Sequence, residues 1–204
     1  MDDNIFIQKV LNDLQNNYRN TLINKPVIIF MMGIPGCGKS FIIKKFINNI
    51  LPLVLYDYNI LGEEKSLNEN NFIYCNPDII VKYIEGYTIE KNNEFIGRGT
   101  IYNNKLIKKL IIENRFYNKY YNLVYDATGS QFGHYLKHIE LAKENGYFTI
   151  LINVLTDINL AFHRTQKRDR KIEKEIIEKV YKNIYEKKSS KSKYPNKNNF
   201  EILK

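Results

Sequence analysis

Apolar and polar positions fall in blocks along this chain. The unbroken apolar run Val27-Ile28-Ile29-Phe30-Met31-Met32 predicts a strand buried on both faces. Three later runs predict further strands, at 72–75, 122–126 and 147–155. Between them the apolar spacing lengthens to that of a helix. Ile7, Val10, Leu11 and Leu14 share one helical face ahead of the first strand, and Pro26 ends that pattern. Segment 41–47 predicts a second helix. In 101–117, Leu106, Leu110, Ile111 and Phe116 fall on or near one side. Another helix runs up to Lys143, where Glu144-Asn145-Gly146 stops it. Thr156-Asp157 caps a helix starting at Ile158, and 173–185 is a last amphipathic helix.

The segments between these blocks read differently. Residues 51–71 mix Leu-Pro-Leu-Val-Leu-Tyr with a polar run and predict a surface insertion with room for one short strand. Residues 79–84 predict a short helix stopped by Glu85-Gly86-Tyr87. Residues 88–99, ending in Gly97-Arg98-Gly99, predict a flexible loop. Residues 187–199 are rich in Lys, Ser and Asn and predict a mobile basic tail, and 200–203 a closing strand. Strands alternating with helices predict an α/β fold with a mainly parallel sheet flanked by helices. The expected organisation is an N-terminal helix in 1–25, one domain over 26–186 and a tail over 187–204.

The first strand runs directly into Gly33-Ile34-Pro35-Gly36-Cys37-Gly38-Lys39-Ser40, and a helix follows. That order is the context required by the G-x-x-x-x-G-K-[ST] (Walker A) pattern of P-loop NTPases. Glycines let the backbone curl so that successive N–H groups face phosphate oxygens, and the helix adds the positive end of its dipole. Lys39 is expected to reach the β- and γ-phosphates, and the Ser40 hydroxyl to ligate Mg²⁺.

Composition narrows the setting. The chain has 204 residues, 44% of them hydrophobic, enough for one sizeable core. No apolar run approaches the ~20 residues of a membrane span. The acidic start, Met1-Asp2-Asp3, lacks the basic opening of a signal peptide, and Cys37 and Cys75 make no disulfide framework. The expectation is an intracellular protein. A net charge of +9 admits an anionic partner, nucleic acid included, but the abundance of Asn, Ile, Lys and Tyr gives the same charge by compositional drift.

Two carboxylates end predicted strands or follow them closely, Asp78 and Asp126. Ligands gather at the carboxyl ends of parallel strands, so Asp126 is a candidate for the metal site and Asp78 for a general base near an acceptor hydroxyl. The plainer readings are a turn cap for Asp126 and a helix N-cap for Asp78. Arg164, Arg168 and Arg170 lie in one late segment; an arginine can neutralise charge in a phosphoryl transition state, and 164 and 168 share a face if that segment is helical. A solvated basic face is the plainer alternative. His134 and His138 have the i, i+4 spacing of metal ligands, but the His-Tyr-Leu-Lys-His string lacks the metalloprotease glutamate, which leaves two surface histidines. Cys37 sits at a helix start, where thiol pKa values fall; a small side chain in a variable loop position is the simpler account.

Taken together these blocks resemble the zeta toxin family of P-loop kinases. Gly33–Ser40 resembles that family's phosphate loop. Asn76-Pro77-Asp78 is similar to the segment holding the family's base, and Asp126-Ala127-Thr128-Gly129 to its acidic-x-Thr-Gly turn, where the family often has Glu. Arg168 and Arg170 are similar to two arginines that grip nucleotide phosphates. The resemblance covers roughly 26–186. It implies an ATP- and Mg²⁺-dependent kinase that phosphorylates a sugar nucleotide such as UDP-N-acetylglucosamine. It assigns Asp78, Lys39, Arg168 and Arg170 to catalysis, the loop residues and Arg164 to the nucleotide, Asp126 and Thr128 to substrate, and Ser40 and Asp126 to metal. Two other readings stay open: a polynucleotide 5′-hydroxyl kinase, whose loop has the same form, and a non-catalytic nucleotide-binding regulator. No protein partner is implied.

Overall fold

The computed structural model describes residues 2–19, 24–61, 66–117, 121–168, 170–186 and 200–203. Strands β1 (Val27–Met32), β2 (Ile73–Cys75), β3 (Leu123–Asp126), β4 (Phe148–Asn153) and β5 (Phe200–Leu203) form one sheet in the order β2-β3-β1-β4-β5. Pairing is parallel throughout except between β4 and β5. Every residue of β1 is buried, as an apolar run with neighbours on both faces must be. The tail segment 187–199 lies outside the described residues.

Helices cover the sheet. They are α1 (Asp3–Asn16), α2 (Lys39–Lys45), α3 (Leu51–Asp57), α4 (Pro77–Ile80), α5 (Asn92–Tyr117), α6 (Phe132–Glu144), α7 (Ile158–Gln166) and α8 (Lys174–Tyr181). Of the α1 face predicted from its spacing, Ile7, Val10 and Leu11 are buried and Leu14 is half-buried, and Phe6 is buried with them. Leu106, Leu110 and Ile111 of α5 are fully buried, while the side chain of Phe116 lies outside the described residues.

Two expectations are corrected. Segment 51–57 is not a surface insertion but helix α3, with Leu51 and Leu55 buried. Pro52 does not break the helix because a wide turn, Phe46–Ile50, precedes it. That widening removes the clash between a proline ring and the carbonyl one turn back. Residues 88–99 are not a loop either. A short 3₁₀ turn, Ile89–Lys91, leads into α5, which contains both Gly97 and Gly99. Gly99 is buried where α5 crosses α4: a Cβ there would stand 2.4 Å from Val81 Cγ1 and 3.0 Å from the Pro77 carbonyl oxygen. The glycine read as a loop signal is a close-packing residue.

Candidate active site

The central strand β1 has β3 on one side and β4 on the other. The chain leaves its carboxyl end at this switch point, where open α/β sheets place their ligands. The loop that follows takes a shape only glycine tolerates, with φ of +148° at Gly33, +81° at Gly36 and +100° at Gly38. Segments just past the neighbouring strands fix its start: the Gly33 N–H donates to the Thr128 carbonyl (3.2 Å) and the Val154 N–H to the Met32 carbonyl (2.8 Å). A Cβ at Gly36 would lie 2.3 Å from the Ala161 carbonyl oxygen, so α7 packs directly against the loop. Ile34 and Cys37 point into the core, at 1% and 4% exposure. Lys39 lays its ammonium back across the loop and donates to the carbonyls of Gly33 (3.0 Å) and Ile34 (3.3 Å).

The cleft beside this loop encloses about 190 Å³. It is lined by Pro35, Gly36, Gly38, Lys39 and Ser40 on one side, and by Asn76, Pro77, Asp78, Asp126, Ala127, Thr128, Arg168 and Arg170 around the rest. The structure thus brings most of the residues singled out from sequence to one cleft, while Gly33, Ile34 and Cys37 of the loop do not line it. Arg164 also stands apart from it. It lies behind the loop, with its guanidinium 3.5 Å from the Cys37 carbonyl oxygen, which Thr156 Oγ1 also approaches at 3.5 Å.

Asp126 closes β3 and is 7% exposed, so it is not a surface cap. Burial pushes its carboxyl above the usual range; the Lys39 charge pulls it back, Asp78 pushes it up, and the Asn76 hydrogen bond and Arg168 pull it down. Asn76 Nδ2 donates to its Oδ2 at 3.0 Å. Asp78 is not the N-cap of α4. Asn76 is, with its Oδ1 accepting from the Asp78 N–H at 2.8 Å. The Asp78 carboxylate reaches the cleft and accepts from Arg170 at 2.7 Å, while Arg170 Nε donates to Asn93 Oδ1 at 3.1 Å. The side chain of Asp78 is 56% exposed, so this ion pair positions groups more than it stabilises the fold. The Thr128 hydroxyl lies 3.0 Å from that of Ser130.

Two readings of the late segments change. The α7 helix ends at Gln166, so Arg164 and Arg168 do not share a helical face; the chain turns at Lys167 and brings Arg168 and Arg170 to the cleft. His134 is exposed, whereas His138 is half-buried. Its Nε2 is buried without a hydrogen-bond partner, and its ring packs edge-on against Tyr125. Burial first, then the His134 and Lys108 charges, pull its pKa down to about 4.

Sequence reasoning passed over several residues here. Asn93, Ile96, Thr100 and Ile172 complete the cleft or hold Arg170. Asn93 and Ile96 lie in the stretch read as a loop and Thr100 directly follows it; a helical pattern there would have put Asn93, Ile96 and Thr100 on neighbouring turns of one side.

The cleft suits a nucleotide with its metal. The curled glycine backbone and the cations Lys39, Arg168 and Arg170 match phosphate. The exposed Ser40 hydroxyl and the Asp126 carboxylate are hard oxygen donors of the kind Mg²⁺ takes alongside phosphate and water. Among the described residues no helix is long and apolar enough to cross a membrane.

No protein-family model and no curated protein sequence matches this chain. Among solved structures, similar chains come from the PezAT chromosomal toxin-antitoxin system of Streptococcus pneumoniae and from the Pnkp1/Rnl/Hen1 RNA repair complex. The first is 18% identical over 80% of this chain and 60% of that one, with a TM-score of 0.53. The second is 18% identical over 87% of this chain and 49% of that one, with a TM-score of 0.50. This chain therefore spans less than two thirds of the length of either. At that identity the likeness is one of fold: the chain has a zeta-toxin-like, P-loop NTPase-type α/β fold.

Proposed function

We propose that this protein is a kinase that moves the γ-phosphate of ATP to a hydroxyl of a small acceptor, with a sugar nucleotide such as UDP-N-acetylglucosamine as the first choice. The observation that carries this reading is the single cleft shared by the phosphate loop, two carboxylates and two arginines. Residues 33–40 wrap the phosphates, with Arg164 bracing the loop from behind. Ser40 and Asp126 hold Mg²⁺, which when bound neutralises phosphate charge. Lys39, Arg168 and Arg170 offset the charge that spreads over the phosphoryl oxygens during transfer. Asp78 takes the proton of the acceptor hydroxyl as its oxygen bonds to the γ-phosphorus and the bond to the β–γ bridging oxygen breaks, releasing ADP. Thr128, which lines the same cleft as Asp126, contacts the acceptor.

A polynucleotide 5′-hydroxyl kinase is the second reading. The fold likeness to a chain of an RNA repair complex and the +9 charge favour it. Part of the cleft lining disfavours it: Pro77, Ile96, Thr100 and Ile172 are uncharged and add no cationic track for a strand.

The test is transfer of labelled γ-phosphate from ATP with Mg²⁺ to UDP-N-acetylglucosamine, nucleosides and 5′-hydroxyl oligonucleotides. Transfer to the sugar nucleotide, abolished by Lys39→Ala and Asp78→Asn, supports the first reading. Transfer to oligonucleotides alone replaces it with the second. ATP binding without any transfer leaves a nucleotide-binding regulator.

A further inference from the structure

Asn76 joins the backbone N–H of Asp78 to the carboxylate of Asp126 through the two ends of one amide. Resting on the kinase reading above, we propose that Asn76 is a positioning residue that sets Asp78 and Asp126 at a fixed separation. The geometry begins in the sheet. Strands β2 and β3 pair in parallel with Cys75 opposite Tyr125, so Asn76 and Asp126 follow side by side. Pro77 then excludes the helical conformation from the residue before it, and Asn76 is extended, at φ −134° and ψ 126°. An extended residue directly before a helix is an N-cap, and its side-chain oxygen meets the Asp78 N–H at 2.8 Å. The amide nitrogen is thereby aimed away from the helix, and it meets Asp126 Oδ2 at 3.0 Å.

The chemistry of the partners fixes which end is which. A backbone N–H only donates, and an ionised carboxylate only accepts, so a reversed amide would lose both bonds. Among residues short enough to cap this turn, Asn alone carries its acceptor and its donor on two separate atoms, one for each partner; the hydroxyl of serine or threonine holds both on a single oxygen. Serine or threonine would cap α4 and leave Asp126 without that donor. Aspartate would cap it and set a second negative charge against Asp126. The turn that presents the base and the carboxylate at the end of β3 therefore move as one piece.

The experiment uses the full chain with Asn76→Ser, Asn76→Ala and Asp126→Ala. Serine keeps the cap and drops the donor; alanine drops both. Melting temperature should separate Ser from Ala, with Ser close to wild type. Turnover should not separate them: both should lower kcat about 10- to 100-fold, the usual cost of losing a group that holds a site carboxylate, with KM for ATP within about twofold. In the Asp126→Ala background, Asn76→Ser should cost nothing further. Wild-type kcat in Asn76→Ser, or additive losses with Asp126→Ala, would reduce Asn76 to a cap and overturn the proposal. A second readout needs no substrate. The Asn76 side-chain NH₂ resonances should shift on Asp126→Ala, and unshifted resonances overturn the proposal whatever the activity. If wild type phosphorylates no acceptor, the kinase reading fails and this spectrum alone decides whether the bracket exists.

Discussion

Two glycines in α5, separated by one residue, should respond to alanine with opposite signs. Gly97 is exposed, and a Cβ there meets nothing within 4 Å. Gly97→Ala removes backbone freedom from the unfolded chain at no cost in the folded one, a gain of about 0.8–1 kcal/mol in a helix interior. Gly99→Ala makes the same gain and meets a clash. Its Cβ would sit 2.4 Å from Val81 Cγ1 and 3.0 Å from the Pro77 carbonyl oxygen. Val81 is fully buried and β-branched, and the oxygen belongs to the backbone of α4, so neither can swing aside cheaply. Overpacking of this kind costs about 1–3 kcal/mol. The expected net effect is a loss of up to about 2 kcal/mol for Gly99→Ala. Because both variants carry the same helical gain, the difference between them isolates the clash. Urea unfolding of the two variants beside wild type measures it directly. Thermal unfolding should separate them by about 2–4 °C for each kcal/mol in a chain of this size. If Gly99→Ala stabilises as much as Gly97→Ala, α4 and α5 do not pack as described. Since α4 carries Asp78, Gly99→Ala should also lower turnover while Gly97→Ala leaves it unchanged.

Lys39→Ala should weaken ATP binding about 10- to 100-fold, the worth of about 1.5–3 kcal/mol for charge-assisted hydrogen bonds; unchanged affinity by calorimetry would remove Lys39 from the phosphate site. Asp78→Asn keeps the shape of the side chain and removes its basicity, so transfer should fall about 10²- to 10⁴-fold with ATP affinity nearly kept, and a wild-type rate would sink the base assignment. His138 makes stability depend on pH. Its folded pKa, about 4, lies below the ordinary 6.5, so the unfolded chain binds the proton first. Stability should therefore hold above about pH 6.5 and fall as pH drops toward about 4. His138→Phe keeps a ring against Tyr125 and should flatten that part of the urea midpoint-versus-pH curve; a superimposable curve would mean that His138 protonates freely in the fold.

Strands and phosphate loop were legible because each is a local pattern: an unbroken apolar run, or glycines at set spacing before a lysine. What escaped depended on packing between distant segments. Pro52 reads as a breaker until the wide turn before it is known. Gly99 reads as a loop residue until α4 is seen lying across it. The i, i+4 spacing of His134 and His138 says they share a helical side, but not that only the second turns under Tyr125. Asp78 and Asp126 could be marked from their places near strand ends, whereas the hydrogen bonds that Asn76 makes to each required the register of β2 with β3. The arginines were marked as a cluster, yet the turn at Lys167 sorts them, sending Arg168 and Arg170 to the cleft and leaving Arg164 behind the loop.

The phosphate loop owes its shape to residues far along the chain, and that has a kinetic meaning. Thr156 reaches the Cys37 carbonyl across 119 positions, and Arg164 across 127. The central strand before the loop waits for β3 and β4, which follow it after long intervening stretches. Closing such separations is slow relative to forming local helices, so the loop is among the last parts of the molecule to acquire its geometry. A chain still being synthesised, or one trapped part-way, has the glycines and the lysine but not the curve that presents them to phosphate. On the kinase reading, nucleotide affinity would double as a report on completed folding, and bound nucleotide would pull the population toward finished molecules.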